Sequence, residues 1–222
     1  MTTASDPHAG QPVLTAGAPL TDAEAVVIAI HGRGATPGDI LNLERALDVE
    51  RVAWLAPAAA GRNWYPLRFI SPKAGNQPYL DSALRRIASL VDEVTAGGVP
   101  HESIVLLGFS QGACLSLEFA ARHPRRWGGV VAFSGGLIGE PGTVWDTPGS
   151  LEGTPVFIGC SDVDPHIPLD RVRESAEVMT RMGATVDLRI YPGMPHTVNG
   201  DEIAAGRQVL EAARRPRGTA SA

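Results

Sequence analysis

Cysteine and long apolar runs are both scarce in this sequence, and each scarcity removes a class of protein. Two cysteines, Cys114 and Cys160, are too few for a secreted disulfide framework, and both lie inside apolar segments as reduced core thiols do. No stretch approaches the roughly 18 apolar residues of a membrane span. The N-terminus from Met1 to Gly10 is polar and lacks the basic-then-apolar order of a signal peptide. Net charge is -5 with a pI near 5.7, and Arg214-Arg215-Pro216-Arg217 is the one short basic run, which argues against a nucleic-acid partner. A cytoplasmic protein with no membrane span is expected. At 222 residues and 44% hydrophobic content, the chain can bury the core of one domain without disulfides or metals.

What is present is an alternation. Short β-branched runs at 25–30, 52–55, 104–109, 130–133, 156–158 and 186–191 alternate with segments of helical period at 39–48, 80–94, 111–122, 169–182 and 201–212. This is the signature of an α/β fold with a mostly parallel central sheet flanked by helices. Residues 13–16 read as an antiparallel edge strand, which brings the expected sheet to about seven strands. The expected domain spans 11–213, with 1–10 and 214–222 as flexible tails. Residues 56–78 and 135–153 are aperiodic and long enough to be functional or mobile loops.

Gly108-Phe109-Ser110-Gln111-Gly112 falls between a strand and a helix. In that setting G-x-S-x-G forces the serine into a strained turn that only small neighbours tolerate, with its hydroxyl projecting above the sheet edge. Ser110 is therefore the candidate nucleophile, and the amide of Gln111 is placed to stabilise negative charge arising beside it. A serine hydroxyl needs a base, and the base needs a third group to hold its tautomer. Of six histidines, His8 falls in the tail, His101 precedes a strand and His123 ends a helix, which leaves His31, His166 and His196. His196 leaves the last strand at the carboxyl edge of the sheet, as Ser110 does, and is the expected base.

The acid comes from residues 160–168, where Asp162 and Asp164 both qualify. Asp164 is preferred because Pro165 and Pro168 stiffen the turn after it; the other aspartate would cap a turn or the helix near Pro168. The order Ser110, Asp164, His196 is that of the α/β-hydrolase fold. His31-Gly32-Arg33-Gly34 follows a buried strand, so the Arg33 amide is the expected second oxyanion donor, with His31 shaping the loop. The set His31, Asp164, His166 and His196 lacks the i, i+4 spacing of helical zinc motifs, and no metal is expected. Trp64, Tyr65, Leu67, Phe69 and Ile70 either wall an acyl pocket or anchor their loop. Gly32, Trp64 and Tyr65 are the expected substrate contacts. The Arg33 side chain either recognises a polar or anionic leaving group or lies in solvent or a salt bridge.

Together these motifs resemble the phospholipase/carboxylesterase family, which includes bacterial carboxylesterases and acyl-protein thioesterases. His31-Gly32-Arg33-Gly34 looks like its H-G-x-G loop, Ala56-Pro57 its second-strand ending and Gly108 to Gly112 its elbow. Phe133-Ser134-Gly135-Gly136, Asp164-Pro165-His166-Ile167-Pro168 and His196 complete the series in order. The resemblance implies an α/β-hydrolase fold without a large cap domain, and a catalytic triad of Ser110, Asp164 and His196. It also implies an oxyanion hole from the amides of Arg33 and Gln111, no cofactor, and a small-molecule ester substrate of short to medium acyl length or lysophospholipid type. Thioester hydrolysis and a non-catalytic binding protein on the same fold are the alternatives, and a homodimer is among the assemblies left open. The sequence departs from the pattern twice. Gly159 precedes Asp164 by five residues where the family has a glycine three before the acid, and Arg33 stands where eukaryotic thioesterases commonly carry leucine.

Overall fold

Apolar runs without alternation need cover on both faces, and the central strands have it. The computed structural model describes residues 6–215 and contains seven strands in one sheet: β1 (Val13–Gly17), β2 (Ala25–Ile30), β3 (Val52–Pro57), β4 (Ile104–Phe109), β5 (Gly129–Phe133), β6 (Pro155–Ser161) and β7 (Thr185–Tyr191). Five helices intervene: α1 (Pro37–Leu47), α2 (Tyr79–Ala96), α3 (Gln111–Arg122), α4 (Leu169–Arg181) and α5 (Gly200–Ala213). On β2, Val26, Ile28 and Ile30 face a core built with α2, α3 and α4, while Ala25, Val27 and Ala29 face a second core built with α1 and α5. The period of two along the strand sorts side chains to the two layers.

Strand order is β1-β3-β2-β4-β5-β6-β7, with β1 antiparallel to β3 and the other pairs parallel. After the edge strand β1 the chain enters the centre at β2, runs outward to β3, then returns to β4 and continues the other way. The crevice between the carboxyl ends of β2 and β4 is thus a topological switch point, the place where open α/β sheets bind ligands.

The expected elements are all present, with shifted ends. β6 runs through Gly159-Cys160-Ser161, residues without strand propensity, because they pair with Arg189, Ile190 and Tyr191 of β7. α1 begins at Pro37 behind a capping box in which Thr36 and Asp39 satisfy each other's amides.

The terminal segments differ from the expected tails. Residues 1–5 and 216–222 lie outside the described residues. Residues 6–10 pack instead on α2: the His8 amide donates to Ser82 Oγ at 2.9 Å, Asp6 bonds to Ser82 and pairs with Arg85, and the His8 ring is fully buried. A polar pentapeptide has no apolar period to betray its docking, which rests on long-range hydrogen bonds. At the other end, Arg214 donates to Glu24 at 2.6 and 2.9 Å. No helix among the described residues is long and apolar enough to cross a membrane.

Candidate active site

Ser110 has φ 56° and ψ −117°, a conformation seldom open to a side chain, and its amide is tied to the Phe133 carbonyl of β5 at 2.9 Å. The flanking glycines make the turn possible by close approach. A Cβ on Gly108 would lie 2.2 Å from the Gly112 carbonyl carbon, and one on Gly112 would lie 1.9 Å from the Ile30 oxygen. The first i to i−4 bond of α3 runs from the Cys114 amide to the Ser110 carbonyl, so the Gln111 amide precedes the helical ladder and lies beside the serine.

The loop after β7 brings His196 Nε2 to 2.9 Å from Ser110 Oγ, and His196 Nδ1 stands 2.6 Å from Asp164 Oδ2. A carboxylate only accepts, so Nδ1 carries the proton and Nε2 is free to accept from the hydroxyl. Asp164 is buried and its charge is met on every side. Oδ1 accepts the His166 and Ile167 amides at 2.8 and 3.0 Å, and Oδ2 also faces the Cys160 thiol. Asp162 is two residues away and does something else. Its Oδ1 accepts the Gly193 amide at 2.8 Å, which tethers the loop carrying His196 instead of capping the turn or helix near Pro168. The exchange has a plain cause: β6 extends to Ser161, so position 162 faces the end of β7 and position 164 faces the elbow.

On the opposite wall, the amides of Gly34 and Ala35 are engaged by the carbonyls of Arg62 and Gly32. Gly32 and Arg33 line the cleft. Among the described residues the Arg33 guanidinium meets backbone carbonyls and no carboxylate. It donates to the carbonyls of Tyr65, Pro66 and Leu67 at 2.8–3.0 Å and clasps that loop. Gln111 clasps it from below, with Oε1 accepting the Trp64 amide and Nε2 donating to Tyr65 O and Asn63 Oδ1. Sequence reasoning credited Gln111 with its amide alone; its side chain is also the floor of the aromatic loop.

The aromatic loop divides between wall and anchor. Tyr65 and Phe69 line the cleft, whereas Trp64 is fully buried and touches none of it, correcting its expected place as a substrate contact. Its indole lies between the rings of His8 and His31, 5.1 Å from each centroid, and donates to the His31 carbonyl. His31 Nε2 accepts the Ala59 amide and His8 Nδ1 accepts the Ala60 amide. Burial holds both imidazoles below their ordinary pKa, so they are neutral and able to accept. A large aromatic between two neutral imidazoles is a fixed anchor, and the 56–78 segment is held shut at several points.

The cleft above Ser110 has a volume of about 330 Å³ and ends on Cys114, one helical turn beyond the serine. Burial pushes the Cys114 thiol up to about 12, so it is a neutral, apolar floor. His166 and Ile167 complete the side next to His196, where the two imidazoles meet edge to face at 4.9 Å.

Residues 16–213 match the model of a family described as Phospholipase/Carboxylesterase. A crystal structure of a phospholipase/carboxylesterase from Dyadobacter fermentans superposes with a TM-score of 0.87 at 42% identity, covering 95% of this chain and 99% of that one. A probable carboxylesterase, SOBER1-like, from Arabidopsis thaliana is 24% identical over 82% of this chain and 76% of its own length. Acyl-protein thioesterase 1 of Debaryomyces hansenii is 32% identical over 56% of this chain and 55% of its own.

Proposed function

The chain belongs to the phospholipase/carboxylesterase family, and from that premise we propose that it is a serine hydrolase whose catalytic triad is Ser110, His196 and Asp164, cleaving carboxylic esters. The observation that carries this reading is one continuous hydrogen-bond chain, Ser110 Oγ to His196 Nε2 at 2.9 Å and His196 Nδ1 to Asp164 at 2.6 Å, opening onto a cleft.

In the first half-reaction, Ser110 Oγ attacks the ester carbonyl carbon while His196 Nε2 takes its proton. The carbonyl oxygen becomes an oxyanion held by the amides of Arg33 and Gln111. Each such donor typically lowers the barrier by about 2.7–4 kcal/mol. The C–O bond to the alcohol then breaks, and the imidazolium returns its proton to the departing oxygen. Water repeats the sequence on the acyl-enzyme and releases the acid. Asp164 stays ionised throughout, orienting the ring and stabilising its positive form. Its buried, fully hydrogen-bonded carboxylate supports that role better than the exposed Asp162.

The relatives named acyl-protein thioesterase support a second substrate class, thioesters, which pass through the same acyl-serine. The apolar floor at Cys114 and the anchored aromatic wall favour short to medium acyl groups in either case. Replacing Ser110 with alanine is expected to lower kcat on p-nitrophenyl butyrate by at least about 10⁴-fold. Retained turnover in that variant refutes the reading, and the ratio of ester to matched thioester turnover in the wild type ranks the two substrate classes.

A further inference from the structure

A second cavity, also of about 330 Å³, adjoins the first and shares with it Gly32, Ala35, Phe109 and His196. The two differ in what lies beyond that shared ridge. The first holds Ser110, Gln111 and Cys114. The second lies between α1 and residues 196–198, where Ile40, Leu43 and Val198 form its walls and Asp39 stands at its edge. The reaction as described leaves this second lobe without a role.

Resting on the ester-hydrolase reading above, we infer that the second lobe binds the alcohol portion of the ester, and that this portion is apolar and not anionic. The proton path dictates the side. When the tetrahedral intermediate collapses, the bond from the former carbonyl carbon to the alcohol oxygen breaks, and that oxygen receives the proton held on His196 Nε2. The alcohol oxygen must therefore lie against His196. The oxyanion points toward the Arg33 and Gln111 amides, and the acyl carbon chain takes the remaining direction, past Gln111 toward Tyr65 and Cys114. What is attached to the alcohol oxygen continues past His196; on one side of that ring His166 and Ile167 wall the first cleft, and on the other the second lobe opens between α1 and residues 196–198.

Its chemistry sets the alcohol class. Beside Thr197 and the His31 ring, whose two nitrogens are engaged by the Gly32 carbonyl and the Ala59 amide, the side chains of Ile40, Leu43 and Val198 present methyl groups, which suits an aryl or branched alkyl group; pockets of this size hold a small organic fragment. Asp39 accepts from the Thr36 amide and hydroxyl at 2.7 Å, and those bonds hold its carboxyl below the ordinary range, so it is charged at neutral pH. It disfavours an anionic alcohol, by only a few-fold because solvent screens it.

Two substrate series test the assignment. One fixes acetate and varies the alcohol from ethyl to 1-naphthyl; the other fixes p-nitrophenol and varies the acyl group from acetate to octanoate. Leu43→Trp is expected to lower kcat/KM for 1-naphthyl acetate relative to ethyl acetate by at least tenfold while preserving the acyl-length ranking. Phe69→Leu is expected to do the converse. Leu43→Phe gives an intermediate effect and guards against a folding defect in the larger variant. Asp39→Asn is expected to reduce the preference for phenyl acetate over 4-acetoxybenzoate. A Leu43→Trp variant that reorders acyl lengths, or that leaves both rankings intact, overturns the assignment. Wild-type protein without Ser110-dependent turnover in either series overturns the hydrolase reading instead.

Discussion

The elbow at 108–112 and the aromatic loop at 56–78 border the same cleft, yet they are held by different physics. The elbow is a local object. Two glycines pressed against neighbouring backbone, a strand on one side and a helix on the other, leave Ser110 one conformation. The loop is a collective object: His8, the His31–Arg33 loop and Gln111 arrive from three separate parts of the chain to satisfy its backbone groups. A local device is robust to distant change and intolerant of change within it. A collective one weakens by degrees, and it responds to conditions that alter its partners.

The sharpest break in that comparison is chemical. Asp164→Asn is expected to lower kcat by about 10⁴-fold through loss of the imidazolium partner and the wrong tautomer of His196. Asp162→Asn keeps a carbonyl oxygen for the Gly193 amide and should cost less than about tenfold, around 1.4 kcal/mol. Steady-state kinetics on the two variants decide between the carboxylates, and the reverse ranking would move the acid to position 162.

The loop should fail differently. Trp64→Ala is expected to cost about 3–5 kcal/mol of stability in chemical denaturation, since it empties the space between two histidines. Acid should reach the same latch without mutation. Both imidazoles have folded pKa values lowered by burial, so the unfolded chain takes up protons first. Their stabilising contribution is complete above the unfolded value of about 6.5 and is lost as pH falls through their folded values. Hydrogen exchange of the Ala59 and Ala60 amides, corrected for intrinsic pH dependence, is expected to accelerate between pH 7 and pH 5. Unchanged protection would detach the histidines from the latch.

The smallest effect concerns the support of the His196 loop. Glu202 is buried, with one oxygen on the Asn199 amide and the other without a hydrogen-bond partner among the described residues, and desolvation raises its pKa from 4.5 to about 7. Because the folded value is the higher one, its stabilisation is present below pH 4.5 and is lost as pH rises through 7. Glu202→Gln should retain, at pH 8, on the order of 1–3 kcal/mol that the wild type gives up. Urea midpoints at pH 5 and pH 8 measure it, and an equal slope in both proteins would refute the assignment.

These contrasts mark what could be read in advance. The alternation of apolar runs and helical periods is written at short range, and so were the strands, the helices and the elbow. Position 164 could be preferred over 162 from its prolines, but the tether from Asp162 to Gly193 depends on how far β6 pairs with β7. The docking of residues 6–10 left no period, because hydrogen bonds to single atoms of α2 and the aromatic loop hold it. Trp64 gave the opposite difficulty. A tryptophan in a loop is equally consistent with a wall and an anchor, and His8, more than fifty residues earlier, is one of the two rings that decided it.

By itself the sequence determined the strands, the helices and the strand-to-helix elbow that carries Ser110, since hydrophobic period and glycine sterics act between near neighbours. Tertiary structure alone decided which carboxylate faces the imidazole, which aromatics meet the cleft and that the cleft has two lobes. Those features are distances between residues 30 to 100 positions apart, fixed by strand register and by buried polar groups that must each find a partner.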